Sequence, residues 1–278
     1  MGHSPYNRPM DNLPWQLRLV RKSIKKKEKL RLLDKCLTFN EIRTALDLGC
    51  AQGILSYFLR RKGGFWVSTD EDLANLRTAR EVLGDSLVQM KGGRSSFKDK
   101  SFDLVVCLDY LEHIENDQEC LEEINRVLKP GGELILVTPR SGRFLVLYRL
   151  RSLLGLKPEY YGHKREGYTL KDLDENIRRS GLEPLRQKTF SRFFSEFLEL
   201  LLNFGYIKIL SPKPLKILRD GHIRPANSDE FQAQKKSFRF YSIVYPFIWF
   251  VSRLDLLFFF LKGYNVMVRA RKPADASP

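Results

Sequence analysis

Small residues and an acid alternate along the segment Asp47-Leu-Gly49-Cys-Ala51-Gln-Gly53, which ends a short apolar run. Glycine and alanine permit a tight turn and let a ligand approach the backbone closely. A helix that starts after such a turn presents free N–H groups, which suit a carboxylate. The dinucleotide fingerprint G-x-G-x-x-G is not met, because Ala51 and Ile54 occupy its second and third glycine positions. Asp47 would also repel a pyrophosphate, so the segment favours a ligand that carries an ammonium group.

A second carboxylate, Asp70, is expected at the end of the next strand, 21 positions after Gly49. A carboxylate at this place in a parallel α/β sheet can accept hydrogen bonds from both hydroxyls of a ribose. The turn and the two acids together predict a ligand with a ribose, an ammonium group and a carboxylate. S-adenosylmethionine has all three groups.

Residues with acid–base chemistry follow the apolar run Phe102–Leu108, which predicts a buried strand. Asp109, Glu112 and His113 come directly after it, where the crevice at the carboxyl ends of parallel strands lies. His113 titrates near neutral pH and is our first candidate for the general base of a hydroxyl acceptor. The alternative is a histidine that only forms hydrogen bonds at a helix entry.

His163 is a second catalytic candidate, in the segment Tyr160-Tyr-Gly-His163-Lys-Arg165. This segment precedes a predicted helix and could fold over the acceptor as a lid. The alternative interpretation is an exposed basic loop.

The elements that must position these residues alternate between strands and helices from Arg43 onward. Apolar runs predict strands at 44–48, 65–69, 87–90, 102–108, 133–138, 183–189 and 266–270. Helical periodicity predicts helices at 54–61, 73–83, 120–128 and 169–180. Repeated strand–helix units indicate a parallel sheet covered on both faces. The predicted fold class is therefore α/β, a Rossmann-like, doubly wound, seven-stranded and mostly parallel sheet with an apolar helical insertion near the C-terminus.

Four segments in this order resemble successive motifs of class I S-adenosylmethionine-dependent methyltransferases: ALDLGCAQG, the acid in WVSTDEDL, SFDLVVCLDYLEHI and RVLKPGGELILVTP. The last two are similar to the branch that includes ubiquinone- and menaquinone-pathway methyltransferases. The resemblance covers about Arg43 to Pro139. It implies a methyltransferase with S-adenosylmethionine as its cofactor.

The resemblance also implies roles for individual positions. Asp47, Gly49, Ala51 and Gly53 would hold the methionine part of the cofactor, and Asp70 would hold the ribose. Two residues that end the fourth strand would present backbone to the cofactor, Cys107 and Leu108.

The sequence departs from the family pattern at two places. Ala51 replaces the commoner middle glycine, and its methyl group should be tolerated in a helix-entry turn. After the third strand, where the family often has an acid that faces the adenine, this chain has Lys91-Gly-Gly-Arg94-Ser-Ser-Phe97. Either Phe97 packs near the base or a backbone carbonyl replaces the carboxylate.

The segment Asp109 to His113 is also similar to one that holds a divalent metal in ubiquinone-pathway O-methyltransferases. Asp109, Glu112 and His113 would match the ligand positions, with Asp in place of Glu. Two carboxylates and an imidazole are chemically sufficient for weak Mg²⁺ binding. Related sequences use Glu-His without a metal, so our primary expectation is that no metal is bound.

Four regions are expected along the chain: a basic amphipathic N-terminal helix within 1–40, a cofactor-binding core at 41–189, an apolar helical insertion or cap at 190–263, and the last core strand and tail at 264–278. The N-terminal helix is expected from Trp15 to Leu37. It either docks on the core or lies on a membrane surface, since a basic face with a tryptophan at its end suits anionic headgroups.

Composition limits the partners. Lys and Arg number 48 and Asp and Glu 33, which gives a net charge of +15 and favours contact with phosphates of nucleic acid or lipid. The four cysteines form no C-x-x-C pair, so reduced thiols are expected rather than a zinc ribbon or a disulfide framework. The first residues lack an apolar signal core, so we expect a cytoplasmic protein, peripheral at the inner face of the membrane if it binds lipid.

The apolar run Phe240–Leu261 contains Arg253, Asp255 and Pro246, so a transmembrane span is rejected and a buried or interfacial helix pair is expected. The sequence leaves open whether this insertion contacts a membrane, a partner or the chain's own core. We expect methyl transfer to a small hydrophobic or lipid-linked acceptor, at oxygen. The alternatives are an RNA methyltransferase that uses the basic surface, although no RNA-binding module is visible, and a non-catalytic cofactor-binding scaffold. The oligomeric state is left open.

Overall fold

The computed structural model describes residues 14, 17, 20–37, 43–142, 146–155, 163–205 and 235–274 of the 278-residue chain. Some residues used in the sequence predictions lie outside the described residues: Trp15, the segment 160–162, and residues 206–234 of the expected apolar insertion.

Seven strands form one sheet in the order β3-β2-β1-β4-β5-β7-β6. The strands are β1 Thr44–Leu48, β2 Phe65–Asp70, β3 Leu87–Gln89, β4 Phe102–Leu108, β5 Leu128–Pro139, β6 Glu183–Phe190 and β7 Asn265–Arg271. The first five strands pair in parallel, whereas β7 runs antiparallel between β5 and β6. The strand order reverses between β1 and β4, and ligands of open α/β sheets bind at such a switch point. The predicted fold class is confirmed for the sheet.

Helices cover both faces of this sheet. They are α1 Ile24–Cys36, α2 Ile54–Arg60, α3 Leu73–Leu83, α4 Asp117–Val127, α5 Val146–Leu153, α6 Leu170–Arg179, α7 Phe193–Gly205 and α8 Lys235–Ser252, with 3₁₀ turns at Leu111–His113 and Arg253–Leu256. Along β4, Val105 and Cys107 face one buried cluster, while Leu104 and Val106 face another. A strand that is apolar on both faces must be covered on both faces, as a central parallel strand is.

The N-terminal segment is helical at Leu17, Val20 and Arg21 and again from Ile24, so the predicted single helix is broken. The continuous helix from Trp15 is interrupted at Ser23, whose hydroxyl accepts a hydrogen bond from the Lys26 N–H and caps α1. Leu30 and Leu33 of α1 pack into a buried cluster that includes residues of β1, β4 and β5. Of the two interpretations of this helix, the structure shows the helix docked on the core.

Two apolar helices, α7 and α8, lie between β6 and β7 in the chain. Tyr245 and Ile248 of α8 pack against Ile24 of α1 and Leu198 of α7. Among the described residues, no helix combines the length and the hydropathy needed to cross a membrane. Whether this region is an insertion relative to the family stays a prediction.

Candidate active site

The turn after β1 has a left-handed backbone at every second residue. The φ angles are +79° at Gly49, +46° at Ala51 and +75° at Gly53. A Cβ at Gly49 would lie 2.5 Å from Cδ2 of the Tyr110 ring, so only glycine fits there. The alternation of small residues in the sequence therefore reflects an alternation of backbone conformation.

Asp70 ends β2 beside this turn and ties it in place. Its Oδ2 accepts a hydrogen bond from the Ala51 N–H at 2.7 Å. Its Oδ1 accepts from the Asp72 N–H at 3.0 Å and from Asn75 Nδ2 at 2.9 Å. The carboxylate thus fixes the turn, and its oxygens keep lone pairs for further donors.

Asp47 lies deeper, in β1 itself, and is only 3% exposed. Burial raises the pKa of Asp47 to about 6, although the hydroxyls of Ser56 and Ser68 donate hydrogen bonds to it and Arg60 is near. Its Oδ2 has no hydrogen-bond partner among the described residues. An ammonium group beside the turn would supply a donor for such a buried carboxylate.

Tyr110 and Glu71 belong to the same region, and the sequence analysis missed both. The Tyr110 hydroxyl donates to Glu71 Oε1 at 3.0 Å, and the Gly92 N–H donates to the same oxygen at 2.9 Å. The signal was available, because Glu71 follows Asp70 directly and Tyr110 follows the β4 strand. Phe97, proposed to lie near an adenine, packs edge-on against Phe102 with ring centroids 5.2 Å apart.

The end of β4 is buried. Cys107 has no exposed surface and Leu108 is nearly buried. The next residue, Asp109, adopts a φ of +50° while its N–H donates to the Val137 carbonyl at 2.8 Å. A left-handed non-glycine residue stores strain, which is common at functional sites.

Asp109 is paired with a residue that the sequence analysis did not place in the site. Lys29 of α1 is 6% exposed, and its ammonium group donates to Asp109 Oδ2. Burial alone would raise the pKa of Asp109, but the charge and hydrogen bond of Lys29, together with the charges of Lys25 and His113, outweigh burial and lower this pKa. The helix α1 therefore covers the carboxyl end of β4 and brings a cation to it.

The two histidines that we selected from the sequence meet here. Their rings, 50 positions apart in the chain, are in edge-to-face contact with centroids 4.9 Å apart. The Lys164 N–H donates to the Glu112 carbonyl at 2.9 Å, which holds the segment of His163 over the 3₁₀ turn of His113. Burial, and then the neighbouring His113, lowers the pKa of His163 to about 4. At neutral pH His163 is therefore uncharged.

Glu112 lies beneath the histidines and is fully buried. Its Oε2 accepts from the Thr138 hydroxyl at 3.2 Å, and Oε1 has no partner among the described residues. Burial, and then the charge of Asp109, raises the pKa of Glu112 to about 8. Donor atoms of Glu112, His113 and His163 lie within 4.8 Å of one another and could hold a divalent cation. Asp109, the third residue of the ligand set that the resemblance implied, instead pairs with Lys29.

Comparison with known proteins supports the interpretation of the turn. Residues 46–136 match the family model described as a methyltransferase domain. A protein of Hahella chejuensis named ubiquinone biosynthesis O-methyltransferase is 32% identical over an alignment of 115 residues. The alignment covers 38% of this chain and 48% of that protein. This chain spans about half the length of the curated relatives it matches. The matched range includes the turn, Asp70 and His113, whereas His163 lies outside it.

Solved structures share the fold at low identity. A SAM-dependent methyltransferase of Archaeoglobus fulgidus has a TM-score of 0.55 and 17% identity, over 93% of this chain and 100% of that chain. The [4+2]-cyclase SpnF has a TM-score of 0.57 and 16% identity, over 90% of this chain and 82% of that chain. Since one of these neighbours is a cyclase, the fold alone does not decide the reaction, which must be argued from the site.

Proposed function

We propose that the protein transfers a methyl group to an oxygen of a small hydrophobic or lipid-linked acceptor. The proposal proceeds from the class I S-adenosylmethionine-dependent methyltransferase domain that this chain carries. One observation carries the choice of oxygen. Two histidines meet at the carboxyl end of β4, the strand next to the β1 turn, and an imidazole can take a hydroxyl proton.

The residues of the β1–β2 edge fit S-adenosylmethionine. The left-handed turn at Gly49, Ala51 and Gly53 would hold the methionine part, with Asp47 offering an unpartnered buried oxygen to its ammonium group. Asp70 would hold the ribose, through oxygens that already organise the turn. Cys107 and Leu108, which end β4, would present backbone to the cofactor. When bound, S-adenosylmethionine supplies a methyl group on a sulfonium, which is a good leaving group.

The chain's own residues then position the acceptor and move one proton. We assign His113 as the general base, with an imidazole nitrogen taking the proton of the acceptor hydroxyl. His163 is held against it and, being uncharged, leaves His113 free of a neighbouring positive charge. Lys29 pairs with Asp109, so this carboxylate is engaged by a cation of the chain itself.

The class of acceptor rests on the apolar surroundings of the crevice and on the name of a relative. Leu147 of α5, Leu200 of α7 and Tyr264 form a buried cluster on the side of α5 and α7. The Hahella chejuensis relative is named ubiquinone biosynthesis O-methyltransferase, a name that refers to a quinone. An acceptor with a large apolar part suits both facts. It also suits a protein that works in the cytoplasm at the inner face of a membrane.

The test is incubation of the full chain with methyl-labelled cofactor and a cell extract that is then separated into lipid, RNA and protein fractions. Label is expected in the lipid or small-molecule fraction. Gly49→Ala should abolish labelling and weaken cofactor binding in calorimetry by at least about tenfold, because the added Cβ would meet the Tyr110 ring.

Gly131→Ala is the matched control, since Gly131 has a similar φ of +76° but open space around its Cβ position. It should keep both labelling and cofactor binding. Label in RNA alone would replace the proposed acceptor by a nucleic acid. Cofactor binding without label in any fraction would favour a scaffold, and no binding by the unmodified chain would refute the assignment.

A further inference from the structure

The helix α8 is apolar on two faces, and the described residues pack against one of them. Tyr245 and Ile248 pack inward against α1 and α7. Phe240, Ile243, Phe247 and Phe250 recur at helical spacing on another face and are 64–73% exposed. A helix that is apolar all round is normally buried on all sides.

The exposed surface continues past the end of α8. Its members, together called the apolar face, are Phe240, Ile243, Phe247, Trp249, Phe250, Leu256, Leu257, Phe259, Phe260 and Leu261, each at least 40% exposed. The five phenylalanines, each about two thirds exposed, contribute on the order of 600 Å² from a ring area of roughly 150–250 Å². That already reaches the upper end of the largest apolar patch on a typical monomer, about 300–600 Å². Four of these residues share one face of α8, and five follow within residues 256–261, so they are concentrated in one part of the chain.

The charges in this part of the chain have one sign at the surface. Between residues 239 and 262, the exposed or half-exposed charged residues are Arg239, Arg253 and Lys262. The one acid, Asp255, is buried and points inward, where it accepts hydrogen bonds from the Phe194 and Ser195 N–H groups at the start of α7. The apolar face is thus edged by cations.

We propose that the apolar face docks on an anionic lipid bilayer, with α8 lying in the plane of the interface. An aromatic and aliphatic face edged by Lys and Arg is the composition of such interfacial helices, which bury about 5–10 Å of their apolar side. The Arg253 guanidinium lies over the Trp249 ring, 5.5 Å from its centroid, and both side chains favour the headgroup level.

Charge also decides between a bilayer and a second copy of this chain. In a two-fold dimer through the apolar face, Arg239, Arg253 and Lys262 of one copy would lie near the same three cations of the other copy. Residues 239–262 contain no exposed acid that could pair with these cations. An anionic bilayer offers phosphates to all of them. The bilayer is therefore the better match, and the inference does not depend on which molecule is methylated.

The test is co-sedimentation of the full chain with vesicles of phosphatidylcholine alone or mixed with phosphatidylglycerol. Binding to the mixed vesicles is expected, and it should weaken as salt screens the charges. The variant Ile243→Ser/Phe247→Ser/Phe250→Ser should lose at least about tenfold in bound fraction, because three insertion side chains are removed. Phe65→Ser is the matched control, an equally exposed phenylalanine at the start of β2 that should change nothing.

A charge variant separates the two contributions. Arg239→Glu/Lys262→Glu should reduce the preference for phosphatidylglycerol while leaving cofactor binding in calorimetry unchanged, which also shows that the variants fold. Three results would overturn the proposal. The unmodified chain does not bind the mixed vesicles, the triple serine variant binds them equally well, or the unmodified chain is a dimer that the triple serine substitution converts to a monomer. Cofactor binding and methyl transfer to a soluble acceptor would survive each of them.

Discussion

Single residues at the carboxyl edge of the sheet carry unusual backbone conformations. Ala51, Asp109 and Ser191 are non-glycine residues with φ between +46° and +55°, and each follows the end of a strand, β1, β4 or β6. Such conformations cost roughly 1–3 kcal/mol each and persist where the surroundings over-determine them. Here the hydrogen bonds from Ala51 to Asp70 and from Asp109 to Val137 hold two of them. Two of these strained residues, Ala51 and Asp109, lie where we place the cofactor and the acceptor.

The roles of the two histidines can be separated by replacement. His113→Ala should lower kcat by roughly 10²–10⁴-fold, the usual contribution of a general base, and leave cofactor affinity in calorimetry unchanged. Added imidazole should restore part of the rate if the missing group is a base. His163→Gln should retain more activity than His113→Ala, since it removes a positioning contact and not the base. Unchanged turnover in His113→Ala would exclude it from that role.

At the scale of elements, α1, α5 and α7 are joined by one buried acid. Glu196 of α7 is 2% exposed and pairs with Lys25 of α1 at 3.0 Å and with Arg151 of α5 at 2.6 Å. Burial would raise the pKa of Glu196, but the two cations outweigh it and lower it. The basic face of α1 thus points into the protein: Lys25 reaches Glu196 and Lys29 reaches Asp109. This arrangement explains why its charge pattern resembled that of a membrane-surface helix.

Removing the charge of Glu196 should therefore loosen the elements that cover the crevice. Glu196→Gln is expected to lower the free energy of unfolding by up to about 3 kcal/mol, because two partly buried cations lose their buried counter-ion. Glu175→Gln is the control: its pair with Lys171 is exposed, at 3.5 Å, and should be worth less than about 0.5 kcal/mol. Urea unfolding measures both. Equal effects would show that the buried acid does not join these helices.

Elements with strong local patterns were predicted well from the sequence. The bounds of β1, β4 and α3 agree with the prediction, because alternating or uniformly apolar runs end there at glycine or at polar residues. The start of β5 was placed five residues late, at Glu133, since Lys129-Pro-Gly-Gly reads as a turn. In the structure Leu128 already pairs with Phe102, and an irregularity in the ladder follows. Local propensity does not show such a bulge.

The site was predicted in part, and the division has a physical cause. The turn, Asp47 and Asp70 follow from spacing along one strand–turn–helix unit. The contact between His113 and His163 was not predicted, although each residue was chosen separately, because it depends on how the segment after residue 162 folds back. Lys29 was assigned to a surface helix. Contacts between elements far apart in the chain are set by tertiary packing, which periodicity does not encode.

On the scale of the whole molecule, the excess of 15 positive charges hides a set of buried acids with shifted pKa values. Burial raises the pKa of Glu28 to about 7 and that of Asp47 to about 6, and burial with Asp109 raises that of Glu112 to about 8. The acids that pair with buried cations, Asp109 and Glu196, shift in the opposite direction. Stability should therefore depend on pH in two opposite ways.

The sign of each contribution follows from which state binds the proton more tightly. Glu28, Asp47 and Glu112 bind protons more tightly when folded, so their stabilisation is complete below a pH of about 4 and is lost as the pH rises through about 6–8. Glu196 acts in the opposite sense, and its stabilisation is lost as the pH falls below about 4. The pKa of His163 is lowered, so its contribution to stability increases as the pH rises from about 4 to 6.5. This single group offsets only part of the stability that the three acids lose. The urea midpoint should thus be higher at about pH 5.5 than at about pH 8. Glu112→Gln should flatten the alkaline side of this curve, and a midpoint that is highest at about pH 8 would contradict the buried, protonated state assigned to these acids.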